Sequence, residues 1–250
     1  MKAIIVGAGI MGLSTAWGMA REGHEVELFE QASLPNPLAS SIDEHRLIRH
    51  PYGEHAGYAR MIDPAFAAWD LLWHDLGRTL YAATGTLALT GNGANWAERS
   101  AATLATIGRP MTELTLEQLR RRFPLLDAHG VERAFWIDTG GVLFAQDIVA
   151  ALARHLADQP RVRLHANTPV RSVNPEQGRV VCGDGTVHAA DVVVVAAGVG
   201  IAVAAELVVA DLEAAAFHRR HEVEADIAGL LDDHRTFRPG GALIIRQMDS

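Results

Sequence analysis

Residues 1–30 read MKAIIVGAGIMGLSTAWGMAREGHEVELFE, and this stretch admits two incompatible readings. One lysine, an apolar run and small residues near its end make a secretory signal peptide, cleaved and lost. The same letters also make a strand, a turn and a helix. The glycines and the acidic end of the stretch decide between them. Gly7, Gly9 and Gly12 form GxGxxG directly after the apolar run Lys2 to Val6, and each glycine has a use there: a tight turn, a close approach of backbone to a pyrophosphate, and packing of the helix on the strand. A helix over Met11 to Arg21 then points its first N–H groups and the positive end of its dipole at the phosphates. Gly23 stops that helix, and HEVELFE (24–30) alternates as a second strand ending in Glu30. A carboxylate about 20 residues beyond the glycines is the expected partner of ribose hydroxyls. A signal peptide needs none of this, so the stretch is read as a nucleotide-binding unit, and the expected location is the cytoplasm.

Composition agrees with an ordinary globular chain. Of the 250 residues, 49% are hydrophobic and 21% charged, enough for one large domain or two intimate ones. A net charge of -8 argues against nucleic acid as a partner, because surfaces that neutralise phosphate backbones cluster Lys and Arg. Cys182 is the only cysteine, so there is no internal disulfide and no thiol cluster for zinc. In RVVCGDGTV (179–187) it reads as a small strand residue. The 12 histidines are dispersed, and no metal site is expected.

A second apolar stretch, DVVVVAAGVGIAVAAELVVA (191–210), is interrupted by Glu206 and falls short of the ~20 residues a membrane span needs. It reads instead as a buried parallel strand, Val192 to Val195, a small-residue turn from Ala196 to Gly200, and a helix. A continuous valine run suits a strand covered on both faces. Strand candidates at 161–165, 169–173, 179–182 and 186–189 precede it, with a hairpin turn at the Asp-Gly of CGDGTV. The middle of the chain is a mixed helix and sheet module. In PAFAAWDLLWHDLGRTLY (64–81), Phe66, Trp69, Leu72, Trp73 and Leu76 fall at helical spacing and are read as core, with a substrate-lining role as the alternative. Thr115 and Gln118 make a capping box ahead of a helix that Pro124 ends. GTLAL, RAFWID and GGVLF are strand candidates, and AQDIVAALARHLAD (145–158) is a helix that returns the chain to its first domain. The fold class is therefore α/β, a Rossmann-like dinucleotide-binding domain with an inserted mixed-sheet domain.

Four segments together carry a family resemblance: the N-terminal unit, SSIDEHRLIRHPYGE (40–54), GGVLFAQDIVAALARHL (140–156) and TPVRSVNPEQGRVVCGDGTVHAADVVVVAAG (168–198). In this order they resemble FAD-dependent amine oxidoreductases of the sarcosine oxidase and D-amino-acid oxidase type, with RLIRHPYGE the most specific piece. The resemblance implies FAD as cofactor and a small amine or an N-methyl or D-amino acid as substrate. It implies an FAD-binding domain formed by 1–62 and 143–205, and a substrate domain formed by 63–142 and 206–250. Ile10, Met11, Glu30 and Gln31 match positions along the ADP half of FAD, Val170 a position whose backbone meets the adenine, and Ala197 and Gly198 the second glycine turn. Ser40, Ser41, Arg46 and Arg49 match the loop past the pyrophosphate and flavin, where the first arginine lies against the ring. Chemistry makes that sensible: a fixed guanidinium stabilises the charge a reduced flavin gains, and arginine pairs two-pronged with a substrate carboxylate.

Other readings stand beside this one. Asp43 to His50 also reads as a mixed-charge exposed loop. Ile42 departs from the histidine common in the sarcosine oxidase branch, so a polar contact there is not expected. The chain is expected to lack the C-terminal third of the family's length, and with it part of the substrate cage and a basic residue of oxygen reactivity. On that expectation LIIRQ (243–247) is a substrate-domain strand whose partners lie outside the chain. A truncated, non-catalytic FAD-binding relative is thus one alternative and an NAD-dependent dehydrogenase another. The oligomeric state stays open.

Overall fold

The computed structural model describes residues 1–91, 93–174 and 176–198, and the backbone of 243–246. Along the chain the elements run β1 (Lys2–Val6), α1 (Ile10–Arg21), β2 (Glu25–Phe29), β3 (Arg46–Ile48), α2 (Ala56–Leu76), β4 (Tyr81–Ala82), β5 (Thr86–Thr90), α3 (Trp96–Thr106), β6 (Thr112–Leu114) and α4 (Leu116–Arg122). They continue with β7 (Arg133–Ile137), β8 (Gly141–Leu143), α5 (Ala145–Ala157), β9 (Val162–His165), β10 (Val170–Asn174), β11 (Arg179–Cys182), β12 (Val187–Ala189), β13 (Val192–Val195) and β14 (Leu243–Arg246). Two compact units divide the chain, Met1–Ile42 with Val149–Ser250, and Asp43–Ile148.

In the first unit a five-stranded sheet has the order β14-β13-β1-β2-β9. β1 lies parallel to both β2 and β13, and β9 parallel to β2. The pattern of burial explains the valine run: β13 is buried at all four positions, as a parallel strand covered on both faces must be. Alternate residues serve opposite faces. Ile4, Val6, Phe29, Val193 and Val195 meet Val173, Val180 and Cys182 in one apolar cluster, which seats the antiparallel sheet β10-β11-β12 on that face. At ~1.5–3 kcal/mol for each fully buried Val, Ile or Phe, this cluster is a large stabilising term. Ile5, pointing the other way, comes within 3.4 Å of where a Gly12 Cβ would stand, and α1 buries Gly12, Leu13 and Ala16. Cys182 is fully buried, and burial pushes its thiol above the usual range.

β14 departs from expectation. It pairs antiparallel with β13, Leu243 opposite Val195 and Arg246 opposite Val192, so it belongs to the first unit's sheet and not to a substrate-domain sheet. The pairing follows from the open side of β13, whose other side is taken by β1. The helix expected after Gly200, and the remainder of 206–250, lie outside the described residues.

The second unit carries two three-stranded sheets, β3-β8-β4 and β5-β7-β6. β7 is the centre of the latter, and its alternating side chains hold three helices. Phe135 packs with Ala88 and Ala97 of α3, and Ile137 with Leu104 of α3 and Ala59 of α2, while Ala134 faces the other way to Leu119 of α4. The capping box at α4 is formed, Thr115 Oγ1 accepting from the Gln118 N–H at 3.2 Å and Gln118 Oε1 from the Thr115 N–H at 2.8 Å. Leu72 and Trp73 of the aromatic stretch are buried, and Trp69 stacks on Trp73 at 5.1 Å. The division between the units falls after Ile42, Arg46–Ile48 pairing with Gly141–Leu143 inside the second unit. No helix among the described residues is long and apolar enough to cross a membrane.

Candidate functional site

In the first unit Gly7, Gly9, Ile10, Gly12, Glu30, Ser41 and Ala197 meet at the β1–α1 turn. Gly7 has φ +99°, a conformation reserved largely for glycine, and its N–H donates to the Phe29 carbonyl at 2.8 Å. A Cβ there would lie 2.6 Å from the Ala196 carbonyl oxygen and 2.8 Å from the Ala197 Cα. The first glycine turn is thus in backbone contact with the second, Ala196 to Gly198. A Cβ on Gly12 would lie 1.9 Å from the Gly7 carbonyl oxygen, so this glycine lets the helix rest on its own turn.

Gly9 is different in kind. It is the N-cap of α1 in extended backbone, φ -69° and ψ 180°, where any residue is comfortable. The nearest described atom to an added Cβ is Ser41 Oγ at 3.2 Å. Among the described residues no backbone atom calls for a glycine here. The cradle that a Cβ would fill lies at the positive end of a helix with no acidic residue in its first turn, which is how a pyrophosphate site is built. Ser41 Oγ accepts the Ile10 N–H at 2.9 Å and does the work of the missing N-cap side chain. Met11 is exposed on the same turn.

Glu30 follows β2 and is only 5% exposed. Its Oε2 accepts the Ala8 N–H at 2.9 Å, and its Oε1 accepts the Ala32 N–H at 3.1 Å and an Asn36 Nδ2 hydrogen at 3.0 Å. Three of the roughly four lone-pair positions of a carboxylate are used, and one on Oε2 remains for a hydroxyl donor. Ala8 and Asn36 are therefore members of the site that motif reasoning missed. Asn36 sits in LPNPL (34–38), which reads only as a turn, whereas Ala8 acts through its backbone. The Thr168 N–H donates to the Glu30 carbonyl at 2.8 Å, which brings the start of β10 alongside, and Val170 and Ala197 pack against the Ile4–Phe29 cluster. Gln31 and Ser40 are exposed.

Arg46 and Arg49 belong to the second unit. Arg46 is exposed on β3; its guanidinium pairs with Asp43 and donates to the His45 carbonyl at 3.1 Å. The hydrogen bond from Arg46 holds the Asp43 carboxyl below the usual range. Arg49 lies half-buried, its guanidinium 4.6 Å from the Tyr52 ring centre and 5.1 Å from that of Trp96, and it donates to the Pro51 carbonyl. The mixed-charge segment splits in two: Asp43 to Arg46 face solvent, while Ile48 and His50 are buried. A cavity of about 270 Å³ in this unit, lined by Arg109, Trp136, Asp138 and Thr139 among others, includes none of the nominated residues. Among the described residues no cluster of three or more His, Cys, Asp or Glu is placed to hold a metal.

Comparison with known proteins supplies what geometry leaves open. Residues 2–245 match the family described as FAD dependent oxidoreductase. The chain is 33% identical over 153 residues to the peroxisomal sarcosine oxidase of Homo sapiens, covering 60% of this chain and 38% of that protein. It is 27% identical over 195 residues to the N-methyl-L-tryptophan oxidase of Yersinia pestis (strain Pestoides F), covering 77% and 52% respectively. Glycine oxidase from Geobacillus kaustophilus superposes with a TM-score of 0.72 at 22% identity, over 82% of this chain and 57% of that one. L-proline dehydrogenase from P. horikoshii gives 0.71 at 22%, over 82% and 55%. These two likenesses show a common fold. The chain spans 38% and 52% of the length of the two relatives compared by sequence.

Proposed function

The chain belongs to the FAD-dependent oxidoreductase family, and on that premise we propose that it binds FAD through the β1–α1 turn and serves oxidation of the C–N bond of a small amine or an N-methyl or D-amino acid. The observation that carries the reading is Gly9: a glycine that no described backbone requires, at an N-cap, facing a serine hydroxyl and following Ala8, whose N–H is held by the buried Glu30 carboxylate. Bound FAD supplies the two-electron acceptor for such an oxidation.

This chain's residues divide the remaining work. Gly9, Met11 and Gly12 offer backbone N–H groups and the helix dipole to the pyrophosphate, while Ile10 gives its N–H to Ser41 and lines the same turn, with Ser40 beside it. Glu30 takes a ribose hydroxyl on its remaining Oε2 position, held in orientation by Ala8 and Asn36, while Gln31, Val170, Ala197 and Gly198 line the cofactor. Arg46 and Arg49 contribute fixed positive charge, Arg46 toward the isoalloxazine and Arg49 toward a substrate carboxylate. The substrates named for the relatives, sarcosine and N-methyl-L-tryptophan, are N-methyl amino acids and support that substrate class. The first unit is the FAD-binding domain and the second the substrate domain. We assign the protein to the cytoplasm, its single cysteine being buried and suited to a reducing compartment.

The test is optical. Purified protein carries a flavin absorption band that bleaches when sarcosine, proline or a D-amino acid is added without oxygen. A band that no amine bleaches supports the second reading, an FAD-binding chain without turnover. Colourless protein that FAD does not bind refutes both.

A further inference from the structure

His50 lies next to Arg49, and its side chain is completely buried, 0% exposed. A buried imidazole must find partners for both nitrogens, and this one does. Nε2 is 3.2 Å from Asp63 Oδ1 on α2, and Nδ1 is 2.8 Å from Thr139 Oγ1 on the β7–β8 turn. The ring stacks at 6.0 Å on Phe66, also of α2. Asp63 is held in turn by Arg109, whose Nη2 donates at 2.7 Å. Burial pushes the Asp63 carboxyl up, but the hydrogen bonds from His50 and Arg109 together bring it below its ordinary range, so Asp63 is a carboxylate that accepts from Nε2–H while Nδ1 accepts from the Thr139 hydroxyl.

The segment just before His50 is fixed from the same turn by another means. A Cβ on Gly140 would lie 2.9 Å from the Ile48 carbonyl oxygen and 3.5 Å from the Arg49 Cα, so the turn is pressed against the backbone that carries Arg49. The Gly140 carbonyl is itself held by the Tyr81 hydroxyl at 2.8 Å and the Gly85 N–H at 3.0 Å. On the far side, the Gly53 N–H donates to Ser100 Oγ at 2.8 Å. The Arg49 backbone is bracketed on both sides, and His50 is the only member of the bracket that joins α2 to the β7–β8 turn through one side chain bonded at both ends.

We propose that His50 is a positioning residue for Arg49: its doubly bonded ring fixes the backbone from which the guanidinium reaches over Tyr52 and Trp96. The role of Arg49 toward a substrate carboxylate rests on the functional reading above; the mechanical role of His50 does not. Loss of the ring falls on local order more than on the whole fold, because Asp63 keeps Arg109 and the half-exposed Thr139 hydroxyl finds water.

The experiment follows the Arg49 side chain itself. In 15N-labelled protein, the arginine Nε–Hε signal that disappears in Arg49→Lys belongs to Arg49. In His50→Ala its exchange with water accelerates by about tenfold or more, whereas amides of β5 and β7 keep their protection. Leu104→Ala, which empties a fully buried site of the same unit, lowers the unfolding temperature but leaves Arg49 exchange within about twofold. His50→Asn, whose amide reaches the place of Nδ1, and His50→Gln, whose amide reaches that of Nε2, each recover part of the protection and carry the test if His50→Ala does not fold. In FAD-loaded protein the same substitutions raise KM for an amino-acid substrate by about tenfold at unchanged flavin content. Unchanged Arg49 exchange in the His50 variants, or an equal rise in Leu104→Ala, overturns the proposal and leaves His50 as core packing. A wild-type protein that binds no FAD sinks the functional reading instead, while the exchange measurement still judges His50.

Discussion

Gly9 and Gly12 belong to one motif, yet the structure predicts opposite consequences for an added methyl group. At Gly12 the new Cβ stands 1.9 Å from the Gly7 carbonyl oxygen, more than 1 Å inside the 3.0 Å below which such contacts do not occur. The clashing atom is backbone, fixed by the Gly7 N–H bond to Phe29, so α1 must lift from the sheet. Forced overpacking of this kind costs about 3 kcal/mol or more, and at ~2–4 °C per kcal/mol for a chain of this size Gly12→Ala lowers the unfolding temperature by about 6–12 °C. At Gly9 the new Cβ meets only Ser41 Oγ, at 3.2 Å, and a serine hydroxyl can turn aside. The remaining cost is the preference of an N-cap for Gly over Ala, about 0.5–1 kcal/mol, or ~1–4 °C. The methyl group nevertheless occupies the proposed phosphate cradle, and Gly9→Ala weakens FAD by about 100-fold, or ~2.7 kcal/mol; Gly9→Val abolishes its retention. Thermal unfolding followed by circular dichroism without added FAD gives the first quantity, and titration of flavin fluorescence gives the second. Gly12→Ala melting within 2 °C or so of the parent, or Gly9→Ala binding FAD as tightly as the parent, refutes the division of labour.

Three further outcomes are expected. Ser41→Ala leaves the Ile10 N–H without its acceptor and costs about 1 kcal/mol of stability by the usual scale of N-cap losses, read by denaturant unfolding; a loss indistinguishable from zero means water replaces the hydroxyl. Glu27, 6% exposed, is pushed up by burial but brought below its ordinary value near 4.5 by Lys2 at 2.8 Å and His188 at 2.9 Å. A depressed carboxylate contributes stability that is fully present above that value and is lost as pH falls through the folded-state pKa, so Glu27→Gln destabilises at neutral pH and its deficit shrinks below pH ~4.5; a deficit that grows on acidification refutes the assignment. Arg46→Ala slows reduction of the flavin by substrate more than it weakens FAD binding, measured by stopped-flow absorbance and by titration, and equal losses reduce Arg46 to a phosphate contact.

The parts legible in the sequence are those where local and tertiary signals coincide. Lys2–Val6, the helix behind it and Glu25–Phe29 carry period, glycine stop and carboxylate together, and all three form at the expected places. α1 starts at Ile10, one residue before the expected Met11. The short strands Arg46–Ile48 and Tyr81–Ala82 escape the sequence reading because they exist only through a distant partner: both are extended by pairing with Gly141–Leu143, for the first nearly a hundred residues away. The helix Trp96–Thr106 buries only Ala97, Ser100 and Leu104, of which Leu104 alone is a large apolar side chain, so the stripe is faint. Pro64 reads as the first residue of a helix, whereas α2 begins at Ala56 and runs through it, with Ala59 and Ile62 buried ahead of the proline. The LIIR segment has strand character on any reading, but which sheet edge takes it is a tertiary matter, and β13 does.

The same distinction runs through the site. GxGxxG is visible as spacing, and of its glycines Gly7 and Gly12 are demanded by contacts of the chain with itself that hold even with nothing bound. Of the three, Gly9 alone meets no backbone among the described residues. Glu30 likewise has two duties: its carboxylate ties the turn through Ala8 before it has any oxygen to spare for a sugar. A cofactor site of this kind is built first as structure, so substitutions at most of its motif positions report on folding, and those at Gly9 report on the ligand. His50 extends the point into the second unit. Set among Asp43, Glu44, Arg46 and Arg49, it reads from sequence as one more charge on a solvated loop, and only the enclosing Phe66, Asp63 and Thr139 make it an interior residue on which an arginine's placement depends.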